Sequence, residues 1–156
     1  ILKNNLKRLN FTAKILNYDF VKFNEKENFD FIILDSPCSA VGTIRKNPEI
    51  FFKSKGPDFK ELVLLQKKML IKAAKLLNIN GIILYMVCSF LKNETEDQIN
   101  NFLNLRKDFK LFKFEMFNEN IINKKLVSNN FMHTLPDTIV KYNIDGYFAA
   151  YLKKII

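Results

Sequence analysis

With 156 residues, 48% of them apolar and 26% charged, the chain has the size and mix of one domain around one core, and no apolar run approaches the roughly 18 residues that a membrane helix needs. Two cysteines are too few for a disulfide framework and, with a single histidine, lack the spacing of a zinc site, so the expectation is a reducing, cytoplasmic setting and no metal. The excess of 25 basic over 16 acidic residues, +9 net, suits a nucleic-acid partner. Only Arg8, Arg45 and Arg106 are arginines, however, and a Lys-, Asn-, Ile- and Phe-rich composition is also what AT-rich codons leave on any protein, so charge alone does not decide the partner.

In chain order, "ILKNNLKRLNF" reads as the end of a helix and "TAKILNYD" as a short strand closing on Asp19. "FDFIILD", residues 29–35, is apolar on both faces and predicts a buried parallel strand. Asn47, Pro48 and Glu49 together offer a cap, a proline at the first helical position and an acid near the helix dipole. Leu62, Leu65, Met69, Leu70, Ala73, Leu76 and Leu77 recur at helical spacing, which predicts an amphipathic helix over 60–77. Asn80-Gly81 can supply a positive-φ turn before a second buried strand at 82–87. Asn93 with Glu96 has the spacing of a capping box, opening a helix at "ETEDQINNFLNL". "FKLFKFEMF" alternates as a strand does, residues 118–145 carry no clear period, and "DGYFAAYLKK" closes as a strand.

Alternating strands and helices of this kind predict an open, mostly parallel α/β sheet whose last two strands pair antiparallel. Ligands gather beyond the carboxyl ends of the strands in such sheets. Both cysteines fall there: Cys38 follows the strand ending at Asp35, and Cys88 follows the strand ending at Val87. A single right-handed crossover joins those strands, so they should be neighbours and their thiols close. An arbitrary cysteine is most often a small buried hydrophobe; this placement argues for more.

"FDFIILDSPCSAVGTIRKNPEI", "LLQKKMLIKAAKLLNINGIILYMVCSF", "NETE" and "DGYFAAYLKK" resemble, in order and over about residues 1–153, the motifs of the RNA cytosine-C5 methyltransferases of the Sun/Fmu type. The resemblance implies a Rossmann-like fold that uses S-adenosylmethionine and acts on small-subunit ribosomal RNA. It implies Cys88 as the nucleophile, a soft thiolate suited to adding at C6 of a cytosine, with Cys38 assisting product release. Asp35 would hold the base edge and face the methyl donor, the Pro37 carbonyl would meet the exocyclic amine, and Asp19 would contact the adenine of the cofactor. Arg45 and Lys46 sit where phosphate contacts would hold the RNA, although a solvated pair at a helix entry fits equally well. Gln66 matches the family but reads as an ordinary helix residue, and His133 as structural or exposed. The chain departs from the family at Val87, where a threonine is usual, at Ala40, where a loop glycine is usual, and at Asn78-Ile79-Asn80-Gly81 in place of Lys-Pro-Gly-Gly; the first two would alter the walls around each thiol.

The four glycines form no G-x-G cluster, and the first residue is Ile1 rather than Met. Residues 1–156 are therefore expected to be the C-terminal portion of a methyltransferase catalytic domain lacking the first two strands, inactive by itself. In the order 3-2-1-4-5-7-6 that the resemblance implies, "FDFIILD" would have an open edge unless "TAKILNYD" shifts inward to pair with it. Two other readings compete: a noncatalytic RNA-binding or ribosome-assembly module with the same fold, and an amino-group methyltransferase, since Asp-Ser-Pro-Cys is similar to the Asp-Pro-Pro-Tyr loops of those enzymes.

Overall fold

The computed structural model of the protein describes residues 1–24, 28–52, 56–113, 126–136 and 144–156. Helix α1 (Leu2–Arg8) buries no residue, and the chain leaves it through Asn10 at φ 56. The strand expected over "TAKILNYD" does not form. Residues 11–18 are irregular and exposed, and Asp19 instead caps a 3-10 turn, Phe20–Lys22, by accepting a hydrogen bond from the Val21 amide at 3.0 Å. Lys14, Leu16, Tyr18, Phe20 and Phe23 run beside the sheet edge through their side chains, enclosing with Phe29, Phe31, Ile32 and Leu76 a groove of about 440 Å³. A period-2 pattern creates a strand only where a neighbouring backbone accepts its hydrogen bonds, and no ladder forms here.

Strand β1 (Phe29–Asp35) pairs in parallel with β2 (Leu77–Val87) and, among the described residues, with no strand on its other side. The strand is therefore an edge rather than a buried element. Leu34 reaches the core, while Phe31 and Ile33 stand 49% and 61% exposed on the face that no helix covers. Of the two outcomes expected for this edge, the open one is found.

Helix α2 (Phe59–Leu76) follows the predicted period and starts on a cap the pattern did not reveal: Asp58 accepts from the amides of Lys60 and Glu61, each at 3.0 Å. Leu70, Ala73 and Ala74 are fully buried against β1 and β2. Strand β2 begins at Leu77, directly after the helix, and the expected turn survives as a bulge inside it. Asn80 takes φ 65, and the register slips between Phe29 opposite Leu77 and Phe31 opposite Ile82. Gly81 is required at that bulge because a Cβ there would lie 2.9 Å from the carbonyl oxygens of both Asn78 and Asp30.

A 3-10 turn, Lys92–Glu94, precedes α3 (Glu96–Leu105), whose N-cap is Thr95. The capping box expected from Asn93 is thus displaced; the Thr95 hydroxyl donates to the Leu91 carbonyl at 2.9 Å and to the Glu96 carboxylate at 2.5 Å. Pro48–Phe51 is likewise a 3-10 turn, and the Asn47 side chain donates to the Thr43 hydroxyl at 3.0 Å instead of capping it. Strands β3 (Phe109–Phe112), β4 (Val127–Ser128), β5 (Phe131–Thr134) and β6 (Tyr147–Lys154) complete a six-stranded sheet. The rest of "FKLFKFEMF" beyond Lys113 lies outside the described residues. The order is β1-β2-β6-β5-β4, with β3 also on β6, so an antiparallel last strand enters between β2 and β3, as the 4-5-7-6 half of the expected order requires. Helices α2 and α3 pack on each other and cover one face.

Val87 belongs to this core. It is fully buried and opposite Phe148, so replacing the family's threonine there changes the packing behind the cleft rather than its wall.

Candidate active site

Parallel pairing sets the site. Asp35 lies opposite Met86, and the Ser36 amide donates to the Met86 carbonyl at 3.0 Å, so both chains leave the sheet side by side. Each turns into a loop bearing a thiol. The two sulfurs meet, Cys38 Sγ to Cys88 Sγ 3.3 Å, both partly buried and not bonded as a disulfide. Topology alone placed them together across fifty positions of sequence.

Three loops are laced by backbone bonds around that pair. The Gly42 amide donates to the Cys88 carbonyl at 3.1 Å, and the Gly146 amide donates to the Gly42 carbonyl at 2.7 Å. Ala40 occupies the left-handed region at φ 59 and ψ 18, the conformation a glycine at this place would adopt without strain. Ala40→Gly should therefore raise stability by about 1 kcal/mol in urea unfolding; an unchanged or lowered midpoint would argue against strain in this loop.

The environments of the two thiols differ. Burial, reinforced by the contact with Cys88, pushes the Cys38 thiol up to about 12 from 9.0, against smaller opposing bonds from the backbone at Ala40 and Cys88. At neutral pH Cys38 is thus a thiol, and its S–H can donate to the Cys88 sulfur. Above 9.0 the unfolded chain gives up this proton while the folded chain keeps it, so Cys38 stabilises the fold below that pH and loses the contribution between 9.0 and about 12. Iodoacetamide should accordingly label Cys38 slowly at pH 7 and faster as pH rises beyond 9; a pH-independent rate at Cys38 would contradict the assignment.

Behind the thiols is a buried polar network that sequence reasoning missed. Glu94 is fully buried, and its carboxylate accepts from the Ser39 amide (2.8 Å), the Ser39 hydroxyl (2.5 Å), the Ser89 hydroxyl (2.6 Å) and the Gln66 side-chain amide (3.1 Å). Gln66, read as an ordinary helix residue, is also fully buried and donates to the Pro37 carbonyl at 2.9 Å. One lone pair of the oxygen expected to meet a substrate amine is therefore engaged within the protein. "NETE" and the Ser following each Cys were the available signals, but they are distant in sequence.

The remaining expected residues divide. Asp35 and Pro37 are exposed at the end of β1, next to the thiol pair. Asp19 is at the 3-10 turn with its side chain 53% exposed and Lys22 at 3.9 Å, not at a strand end. Arg45 and Lys46 both hold Asp145, at 3.3 and 2.7 Å, instead of standing free for phosphate. The hydrogen bond from Lys46, with the charges of Lys46 and Arg45, holds the Asp145 carboxyl below the usual carboxylate range. Those pairs therefore favour the fold above the unfolded carboxylate value and fade as pH falls below it. His133 contacts Glu96 at 3.4 Å and packs edge-on against Phe148. Among the described residues, no group of three or more His, Cys, Asp or Glu is placed to hold a metal ion, and no helix is long and apolar enough to cross a membrane.

A ribosomal RNA small subunit methyltransferase B from Shewanella oneidensis is 33% identical over 156 residues, covering 98% of this chain and 34% of the relative. The protein of that name from Pasteurella multocida is 46% identical over 139 residues, covering 82% of this chain and 26% of the relative. The chain thus spans about a third or less of the curated relatives it matches. The crystal structure of PH0851 superposes with a TM-score of 0.83 at 32% identity, over 98% of this chain and 34% of that one. NSun6 from Pyrococcus horikoshii with SFG superposes with a TM-score of 0.79 at 25% identity, over 99% of this chain and 38% of that one. A family model described as 16S rRNA methyltransferase RsmB/F matches residues 1–153. With its sheet order, its paired thiols and this match over nearly its whole length, the chain belongs to the 16S rRNA methyltransferase RsmB/F family.

Proposed function

We propose that the protein to which this chain belongs methylates C5 of a cytosine in small-subunit ribosomal RNA, with S-adenosylmethionine as methyl donor and Cys88 as a transient covalent partner of the base. The observation that carries this reading is the approach of two thiols to 3.3 Å at the carboxyl ends of two adjacent parallel strands. Bound at this site, S-adenosylmethionine supplies an electrophilic methyl carbon. Of this chain's residues, Asp35 and Asp19 would hold it. Asp35 fits, being exposed at the end of β1 three residues before Cys38, and Asp19 offers a half-exposed carboxylate held by the Val21 amide and Lys22. None of the four glycines forms an open cradle: Gly42 and Gly146 face each other, Gly81 is filled by its own bulge, and Gly56 stands apart.

C5 of cytosine is a poor nucleophile until C6 is attacked. Cys88 thiolate would form a bond to C6 while the C5–C6 π pair shifts through C5–C4 onto N3, which takes up a proton; the resulting enamine makes C5 nucleophilic toward the methyl carbon. After methylation N3 would give back its proton; C5 would then give up its own to water, the C5–H pair re-forming the C5–C6 double bond as the Cys88–C6 bond breaks and returns its electron pair to sulfur. The Cys38 S–H, whose sulfur is 3.3 Å from that of Cys88, would donate to the departing thiolate and so ease release. Asp35 and the free lone pair of the Pro37 carbonyl would orient the base edge. Charge, at +9, favours the RNA partner.

The full-length protein should transfer label from the donor onto 16S ribosomal RNA as 5-methylcytidine, and Cys88→Ser should transfer none. Label on an exocyclic amino group, or transfer undiminished in Cys88→Ser, would overturn the reading.

A further inference from the structure

Glu94 is a carboxylate with no exposed surface, and its four side-chain contacts are all to neutral donors: one backbone amide, one side-chain amide and two hydroxyls. Burying a negative charge is costly, and a neutral side chain could tie two loops together with less desolvation. What the charge adds is short, strong bonds, and the hydroxyl contacts at 2.5 and 2.6 Å lie in the charge-assisted range. The pattern of partners is specific. Ser39 directly follows Cys38, and Ser89 directly follows Cys88. One carboxylate oxygen, Oε2, therefore grips the residue after each thiol, while Oε1 takes the Ser39 amide and Gln66. Gln66 in turn holds Pro37, the residue before Cys38. Gln98 on α3 donates to the Gln66 side-chain oxygen at 3.1 Å and to the Val63 carbonyl at 2.8 Å, so both helices brace the carboxylate. The Tyr85 hydroxyl anchors the Glu94 backbone at 2.8 Å.

We propose that Glu94 is a positioning residue for the reaction: through Ser39 and Ser89 it fixes the two cysteine loops against each other and so sets the separation of the two sulfurs. The inference rests on the cysteine mechanism above for its link to turnover, but the separation of the thiols is measurable without turnover. Glutamine is the informative replacement. Its oxygen can still serve the two fixed N–H donors, whereas its amide would face both serine hydroxyls, which must turn round to accept, and the charge is lost. The fold should survive while the grip on the loops loosens.

Phenylarsine oxide, which bridges two nearby thiols through one arsenic, reads that grip in the full-length protein. Wild type should lose both thiols to one arsenical and hold it against a monothiol competitor. Glu94→Gln should bind the arsenical about tenfold more weakly and lose about 10²-fold in kcat, as a misplacement near 1 Å does, with KM for the methyl donor within about twofold of wild type. A Glu94→Gln variant with wild-type bridging, or with wild-type kcat, overturns the proposal. If Glu94→Gln does not fold, Ser39→Ala and Ser89→Ala each remove one bond to Oε2 and leave three, and wild-type kcat or bridging in the pair together overturns it equally. Loss of bridging in Glu94→Gln, combined with transfer that persists in Cys88→Ser, would instead leave the positioning intact and remove the cysteine mechanism.

Discussion

Gly42→Ala should destabilise the protein by about 3 kcal/mol and abolish methyl transfer together with it. A Cβ at residue 42 would lie 1.9 Å from the Gly146 carbonyl oxygen and 3.0 Å from the Cys88 carbonyl oxygen. Both obstacles are backbone, so no rotamer change relieves them. Gly42 also accepts from the Gly146 amide and donates to Cys88, which makes it the point where three loops touch. Moving any one of them shifts the thiols. The unfolding midpoint in urea checks the first part, and a midpoint within experimental error of wild type would show that the loops yield easily and that their lacing is not rigid.

The two thiols should fail in different ways. Under the proposed route Cys88→Ala should cost on the order of 10⁴-fold or more in turnover, because the sulfur that would bond C6 is gone and burial keeps its neighbour Cys38, 3.3 Å away, protonated. Cys38→Ala should still attack but release slowly, since the S–H that meets the departing thiolate is gone. The observable difference is a protein–RNA adduct that accumulates on ordinary RNA in Cys38→Ala and is absent in Cys88→Ala. The reverse pattern would exchange their roles, and adducts in neither would remove the covalent route.

What the sequence disclosed and what it hid follow a physical division. Helix α2, the buried part of β2 and the antiparallel β6 are written in local periodicity, and the convergence of Cys38 with Cys88 follows from strand ends and crossover handedness. Residues 11–18 show the limit of that method: a strand is completed by a backbone ladder, and among the described residues no strand pairs with them, so a plausible pattern stays irregular. The apolar character of "FDFIILD" was likewise misleading, because an edge strand can carry Phe31 and Ile33 to solvent. Thr95 took the cap that Asn93 seemed to offer because Glu94 is drawn inward by Ser39 and Ser89. The roles of Gln66 and Glu94 in the network were not legible in sequence. Their partners are up to 55 residues away, and a buried polar network has no sequence period. Neither of the two readings open for Arg45 and Lys46, phosphate contact or a solvated pair, included their shared ion pair with Asp145, which comes from a loop a hundred residues away.

The account depends on sulfur at residue 88 bonding to carbon in a pyrimidine. RNA carrying 5-fluorocytidine tests this directly, because fluorine at C5 cannot leave as a proton does and elimination stalls. Incubated with methyl donor and the full-length protein, it should give a stable complex whose modified peptide maps to Cys88, with none formed by Cys88→Ala. Methylation of ordinary RNA without any trapped complex on the fluorinated RNA, or a complex mapped to Cys38, would contradict it.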